Sequence, residues 1–269
     1  MSLYGRQVSM EVGVPGQQGL RIDDLRISFD VEHKISSDPA TARIVLYNPS
    51  QETVAACQAD GVLLRLGAGY AFPVQIFQGS PVPGMVTVAK RGADRVLQIT
   101  AQDGGRELLE TQLDISYARP VSLAELVEQA RAALAVPRGV SVTIDETVTF
   151  PSYAFSGDAR VLLDRLAEIS GAYWHIRDGA LTFVSTTGDT GETAAKYSSE
   201  AGNLVGSPTR KSDQLVEVVA LLDASMRPGR PFVVDSVDLS GVYVAQVVRF
   251  SGDSGFGGPF YTVCEGLER

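Results

Sequence analysis

The chain has 269 residues, with 23 Lys and Arg against 32 Asp and Glu and a formal net charge of −9. That balance excludes a surface built to grip nucleic acid, which needs clustered Lys and Arg to neutralise phosphates. Hydrophobic residues at 44% and charged residues at 20% are ordinary for a soluble globular protein; no apolar run approaches the ~20 residues of a membrane span, and MSLYGRQVSM lacks the basic and apolar regions of a signal peptide.

Residues 1–110 read as β-rich. LRISFDVEHK alternates, placing Leu25, Ile27, Phe29 and Val31 on one face. ATARIVLYN repeats the pattern through Ala42, Ile44 and Leu46. Asn48-Pro49-Ser50 then breaks the strand and opens a short helix at SQETVAAC. GVLLRLGAGY, PVQIFQG, GMVTVAK and DRVLQITAQD follow as short strands bounded by Gly and Pro, a spacing that suggests a barrel or sandwich.

Residues 111–190 change character. SLAELVEQARAALAV carries Leu123, Leu126, Val127, Ala130 and Leu134 at helical spacing, with Ser122 and Glu125 as a capping box and Pro137 and Gly139 as stops. DARVLLDRLAEIS is a second helix, with Leu162, Leu163, Leu166 and Ile169 on one side and Gly171 as its C-cap. AYWHIRDGALTFVS is a hairpin turning at Asp178-Gly179, and its Tyr173 and Trp174 alternate, so that one packs in the module and the other is open to a partner. A polar, Gly-rich linker follows, cleavable near Thr186–Ser199 if the module folds as a unit. Strands return in 191–269 at DQLVEVVALLD, RPFVVDS, GVYVAQVVRFSG and GPFYTVCEGL. The expected fold is therefore mainly β with an α/β insert: two β-barrel-like domains, 1–110 and 191–269, flanking a helix–hairpin module at 111–190. The insert is the acidic part, with 6 basic and 11 acidic residues over 111–192, against 10 and 12 over 1–110 and 7 and 9 over 193–269.

Gly252-Asp253-Ser254-Gly255 is the tetrapeptide that surrounds the nucleophile of chymotrypsin-like proteases. A nucleophilic Ser254 needs a histidine base, a carboxylate to orient it and backbone donors for the oxyanion. The two histidines, His33 and His175, serve poorly. His33 sits inside an alternating strand, on the face of Phe29 and Val31, and His175 lies in the insert. Phe256 and Gly257 interrupt the Gly-Gly-Pro continuation, and 15 residues beyond Ser254 leave few strands for a protease barrel. A glycine-rich strand connection explains the motif better. GAGY at 67–70 lacks the third glycine of a dinucleotide loop, QDGG at 102–105 reads as a turn, and Glu125 and Glu128 lie on the solvent side of their helix. Cys57 and Cys264 stand alone, without the spacing of a thiolate metal site; two buried free thiols are the simpler reading, and a disulfide between them stays open.

Several stretches, taken in order, resemble one family. IDDLRISFDVEHKISSDPATARIVLYNPS, LRLGAGYAFPVQIFQGSP, DRVLQITAQDGG, ARVLLDRLAEISGAYWHIRDGALTFV and SGVYVAQVVRFSGDSGFGGPFYT are similar to the tail and baseplate hub proteins of contractile-tailed bacteriophages, a family that includes the hubs of phages T4 and Mu and the N-terminal part of type VI secretion VgrG spikes. The resemblance implies a structural baseplate hub protein without catalytic, cofactor-binding or metal-ligating residues and without a cofactor. It implies a homotrimeric ring in the virion tail that adapts a sixfold tail tube to a threefold central spike, assembled in the host bacterial cytoplasm. The implied partners are the tail tube or distal tail proteins, the spike, the tape measure and baseplate wedge proteins, with no sequence-specific nucleic acid and no membrane span. The alternative is a hydrolase, serine protease-like at Ser254 or cell-wall-degrading through a carboxylate pair. The chain is shorter than the larger members and has no spike repeat or lysozyme segment.

Overall fold

The computed structural model describes residues 5–36, 38–103, 111–135, 138–143, 148–177, 179–185, 191–255 and 257–269. In chain order the elements are β1 (Arg6–Gly13), β2 (Leu20–Ile22), β3 (Ile27–Lys34), β4 (Thr41–Tyr47), α1 (Gln51–Gln58), β5 (Leu63–Tyr70), β6 (Val74–Arg91), β7 (Asp94–Gln102), β8 (Gln112–Tyr117), β9 (Val121–Ser122), α2 (Leu123–Ala133), β10 (Arg138–Thr143), β11 (Thr149–Phe150), β12 (Tyr153–Asp158), α3 (Ala159–Ser170), β13 (Ala172–Arg177) and β14 (Ala180–Ser185). They continue with β15 (Ala195–Ser198), β16 (Thr209–Arg210), β17 (Leu215–Leu221), β18 (Pro231–Asp235), β19 (Ser240–Asp253) and β20 (Phe260–Glu268). The fold is mainly β with an α/β insert. Two compact units divide the chain: one draws on residues 1–34, 40–103 and 193–269, the other on 35–39 and 104–192.

In the first unit the alternating residues do what their period dictates. Ile27, Phe29, Val31 and His33 of β3 are buried, while Ser28, Asp30, Glu32 and Lys34 stay on the other face. Asn48, at φ 54°, makes the left-handed turn that ends β4; its carboxamide donates to Asp94 and accepts from the Arg95 N–H. Ser50 then caps α1 by accepting the Thr53 N–H at 3.0 Å. PVQIFQG and GMVTVAK, which read as two strands, are one long β6. It pairs with β5 at its start and with β7 from Ser80 to Arg91, with a register shift between Pro81 and Val86. Pro81, Pro83 and Gly84 interrupt the ladder there without ending the strand.

The strand order is β16-β17-β20-β19-β3-β4-β7-β6-β5-β1-β2, with β18 on β19 and β15 on β18. The strands of 1–103 and 193–269, the two β-rich segments of the sequence, are hydrogen-bonded to each other. The seam is β3 antiparallel to β19, from Val247 opposite Lys34 to Asp253 opposite Ser28. Side chains from both segments, among them Phe29, Phe77, Phe250 and Phe260, share one apolar core. β3 sits between β4 and β19, so its core face belongs to both segments at once.

The second unit has its own core. Leu126, Leu162, Leu166, Trp174 and Phe183 are each buried to 1% exposure or less. Ser122 caps α2 by accepting the Glu125 N–H, but the Glu125 carboxylate turns to Arg119 and the capping box is only half made. The left-handed residue after α2 is Ala135 (φ 53°); Pro137 lies outside the described residues and Gly139 belongs to β10. Gly171 caps α3 at φ 58°. Arg177 opposite Ala180 leaves a two-residue hairpin turn; Gly179 has φ 74°, and Asp178 lies outside the described residues. Ile169 is not part of the covered stripe. It stands in the last turn of α3, just before the chain turns away at Gly171, and is 53% exposed.

Candidate functional site

The GDSG segment ends β19 and enters the connection to β20. The Ile27 N–H donates to Ser254 Oγ and the Ser254 N–H donates to the Ile27 carbonyl, each at 2.9 Å. Ser254 thus extends the β3–β19 ladder by one rung, and its hydroxyl is occupied as an acceptor. His33 is six residues further along β3, about 20 Å away at strand rise, against the ~3 Å a serine–base pair needs. Its ring is buried, with Nε2 2.8 Å from the Ile76 carbonyl, its plane tilted against Phe77 and edge-on to Phe250. His175 belongs to the other unit, where it stacks on Tyr173.

The rest of the motif is also accounted for by packing. Gly252 stands opposite Phe29, and a Cβ there would lie 2.2 Å from the Phe29 ring. Asp253 takes a bidentate hydrogen bond from Arg26, at 3.0 and 2.9 Å, and also accepts the Gly255 N–H at 2.7 Å. Of the two N–H groups that would form an oxyanion hole in this motif, those of Gly252 and Ser254, the Ser254 N–H is the one given to the Ile27 carbonyl. The hydrogen bonds from Arg26 hold the Asp253 carboxyl below its usual range, against the opposing effect of burial. Arg26 in turn lies over the Tyr47 ring, and Arg6 donates to the Gly258 carbonyl from above Phe260. The loop is therefore a strand connection stapled to the start of β3.

The other residues singled out from sequence are equally structural. GAGY lies on β5, between β1 and β6. A Cβ at Gly69 would meet the Phe72 carbonyl oxygen at 2.5 Å, so the glycine serves a close backbone return and not a phosphate. Asp103 is buried and its N–H donates to Ala40, while Gly104 and Gly105 lie outside the described residues. Glu125 pairs with Arg119 and Glu128 with Arg131. Trp174 is the buried member of its pair with Tyr173, and its Nε1–H donates to Asp164 at 2.9 Å. Cys57 and Cys264 are both buried and unbridged; burial pushes the Cys57 thiol up to about 11 and the Cys264 thiol higher still. Among the described residues no group of three or more His, Cys, Asp or Glu could hold a metal ion, and no helix is long and apolar enough to cross a membrane.

What sequence reasoning missed is a charge ladder on the outward face of the sheet. Glu32, Glu217 and Glu265 interleave with Lys34, Lys211 and Arg249. Lys211 reaches Glu217 and Glu265, Arg249 reaches Glu265 and Glu32, and Lys34 reaches Glu32. Burial works against ionisation of Glu32 and Glu265, yet the hydrogen bonds from their cationic neighbours outweigh it and lower both carboxyls. The signal was present as polar residues at every second position of β3, but β17 and β20 carry only the single charges Glu217 and Glu265 among apolar outward residues, and the pairing depends on the β3–β19 seam, which joins residues more than 200 positions apart.

No family model matches the chain, and no curated protein sequence matches it. Solved structures do. The 43 kDa tail protein of prophage MuSo2 from Shewanella oneidensis superposes with a TM-score of 0.68 at 9% identity, covering 98% of both chains. A tail protein from Neisseria meningitidis MC58 gives 0.64 at 14% identity, covering 98% of this chain and 97% of that one. The E. coli c3393 protein, a type VI secretion component described as structurally similar to the T4 tail proteins gp27 and gp5, gives 0.64 at 10% identity over 96% of this chain and 76% of its own. The chain has the fold of these phage tail and secretion-spike proteins.

Proposed function

We propose that this chain is a structural component of a phage tail or related contractile injection system, acting as a baseplate hub that closes into a trimeric ring. The observation that carries the reading is the match with phage tail proteins over nearly the whole of both chains, 98% of each in the first case. The GDSG loop supports it by spending its hydroxyl, carboxylate and the Ser254 N–H on joining the end of β19 to Arg26 and the start of β3. No histidine lies within reach of the Ser254 hydroxyl to activate it, since His33 is six residues along β3 and His175 belongs to the other unit.

The mechanism is assembly. Each chain contributes two runs of strands, β1–β7 and β15–β20, and three chains contribute six, which suits a threefold body that meets a sixfold tube. Cyclic closure keeps such contacts finite. Its partners on this reading are the tube above and the spike below, and its place is the virion tail. A conduit for DNA must not hold phosphate, since each free Lys or Arg adds affinity. The acidic balance of the chain, 32 Asp and Glu against 23 Lys and Arg, suits that requirement.

Deleting the gene from the particle's own genome and counting complete tails by electron microscopy tests this reading. Tails should stall without the protein and be restored by the chain carrying Ser254→Ala. Complete infectious particles in its absence would contradict it.

A further inference from the structure

One sheet face is polar at one end and apolar at the other. On β3 the outward residues are Ser28, Asp30, Glu32 and Lys34, the pattern of a face in contact with water. Across the seam, the same face of β17, β20 and β19 carries Leu215, Val219, Val242, Val244, Val263 and Leu267. Register places Leu215 opposite Leu267 and Leu267 opposite Val244, an apolar row across three strands, with Val219 opposite Val263 in a second row. Val242 and Leu267 are 41% and 39% exposed. The opposite sides of these strands fill the core with Val216, Val218, Cys264 and Tyr243. Strands apolar on both sides are those buried on both sides.

The charges between the two rows fix the chemistry of what lies on them. Glu217 and Glu265 lie between the rows and Arg249 continues the second row opposite Val263; with Lys211 they belong to the ladder, whose three carboxylates and three cations cancel. A cationic or anionic partner finds no counter-charge there. Copies of a chain carrying −9 repel one another, so they meet most readily on a surface that is locally neutral and apolar. We propose that the outward face of β17, β20 and β19 is a docking surface for a second copy of this chain. The inference rests on the ring reading above and names the surface by which neighbours join.

The test introduces a charge where the face is apolar and already exposed, so that folding is spared. Leu267→Glu and Val242→Glu are compared with Val88→Glu, an exposed apolar position (43%) on β6 outside this face. Self-association of the purified full chain is followed by sedimentation up to millimolar concentration, with melting curves to confirm intact folds. Each face variant should weaken association at least about thirtyfold, the cost of an unpaired charge in a desolvated contact, and Val88→Glu should not. A photo-reactive phenylalanine analogue at 267 should give a homodimer adduct, both in concentrated protein and in assembled tails. Association unchanged in the face variants, or an adduct to a different tail protein, overturns this surface while leaving a ring joined elsewhere. A single copy per assembled tail would overturn both readings.

Discussion

Ser254→Ala separates the two chemistries that the GDSG motif suggests. The substitution removes the acceptor of the Ile27 N–H at 2.9 Å and leaves the reciprocal Ser254 N–H bond to the Ile27 carbonyl in place. A neutral hydrogen bond nets about 1 kcal/mol, and stranding a partly buried donor costs about 1–3 kcal/mol. Because this hydroxyl lies at the end of the ladder, where water can approach after a small movement, the lower part of that range applies, about 1–2 kcal/mol. For a unit of this size that lowers the melting temperature by about 2–8 °C. Ser254→Thr keeps the hydroxyl and should recover part of the loss. Calorimetry and urea titration read the stability, and tail assembly reads the function, which Ser254→Ala should leave intact. Two results would refute the reasoning: a variant as stable as the parent, or one that keeps its stability while a hydrolytic activity of the parent disappears.

Gly252→Ala should be far more costly than its size suggests, because the added methyl would lie 2.2 Å from the Phe29 ring; a loss above about 2 kcal/mol in urea is expected, and a loss under half of that would mean the seam is looser than described. Trp174 is the only tryptophan and is buried in the insert core, so its fluorescence reports that unit alone; Asp164→Ala, which removes the acceptor of its Nε1–H, should shift the fluorescence transition by about 1–2 kcal/mol and leave the β transition of circular dichroism in place. Asp253, Glu32 and Glu265 have folded-state carboxyls below their unfolded values, so their contribution is present above the unfolded range near pH ~4 and is lost as pH falls through the lower folded values; Glu265→Gln should flatten the acid limb of the stability–pH curve, and an unchanged limb would remove the ladder from the account. Cys57 and Cys264, buried and with raised pKa, should ignore a disulfide-exchange reagent at pH 8 until the protein is denatured, whereas prompt reaction of either would show an opening the fold does not contain.

Local order was legible in the sequence wherever one side chain in two, or in three to four, is forced inward. The alternation of β3, β4, β17 and β20, the Ser50 and Ser122 caps and the Gly171 cap all follow from neighbouring residues. β1 carries the same alternation through Val8, Met10 and Val12, but begins within a polar N-terminal stretch that blurs it. β8 and β12 gave weaker signals, since one face of that two-stranded ribbon is small and polar. Long-range pairing was not legible. Nothing near Phe29 announces that Gly252 will face it, so a glycine demanded by a ring across the seam looked like a turn residue or a catalytic-loop residue. The same blindness hid the Glu32–Arg249–Glu265 ladder. The case against a nucleophilic Ser254 was legible in where His33 and His175 fall along the chain, but the partner of its hydroxyl, Ile27, required the fold.

The central claim is that this chain forms a threefold ring in a tail, and copy number in the assembled particle tests it most directly. Quantitative mass spectrometry of purified tails, with the tube protein as the internal standard for sixfold layers, gives that number. The account predicts three copies per tail, one for every two subunits of a tube ring. Six copies, or any count other than three, would contradict it.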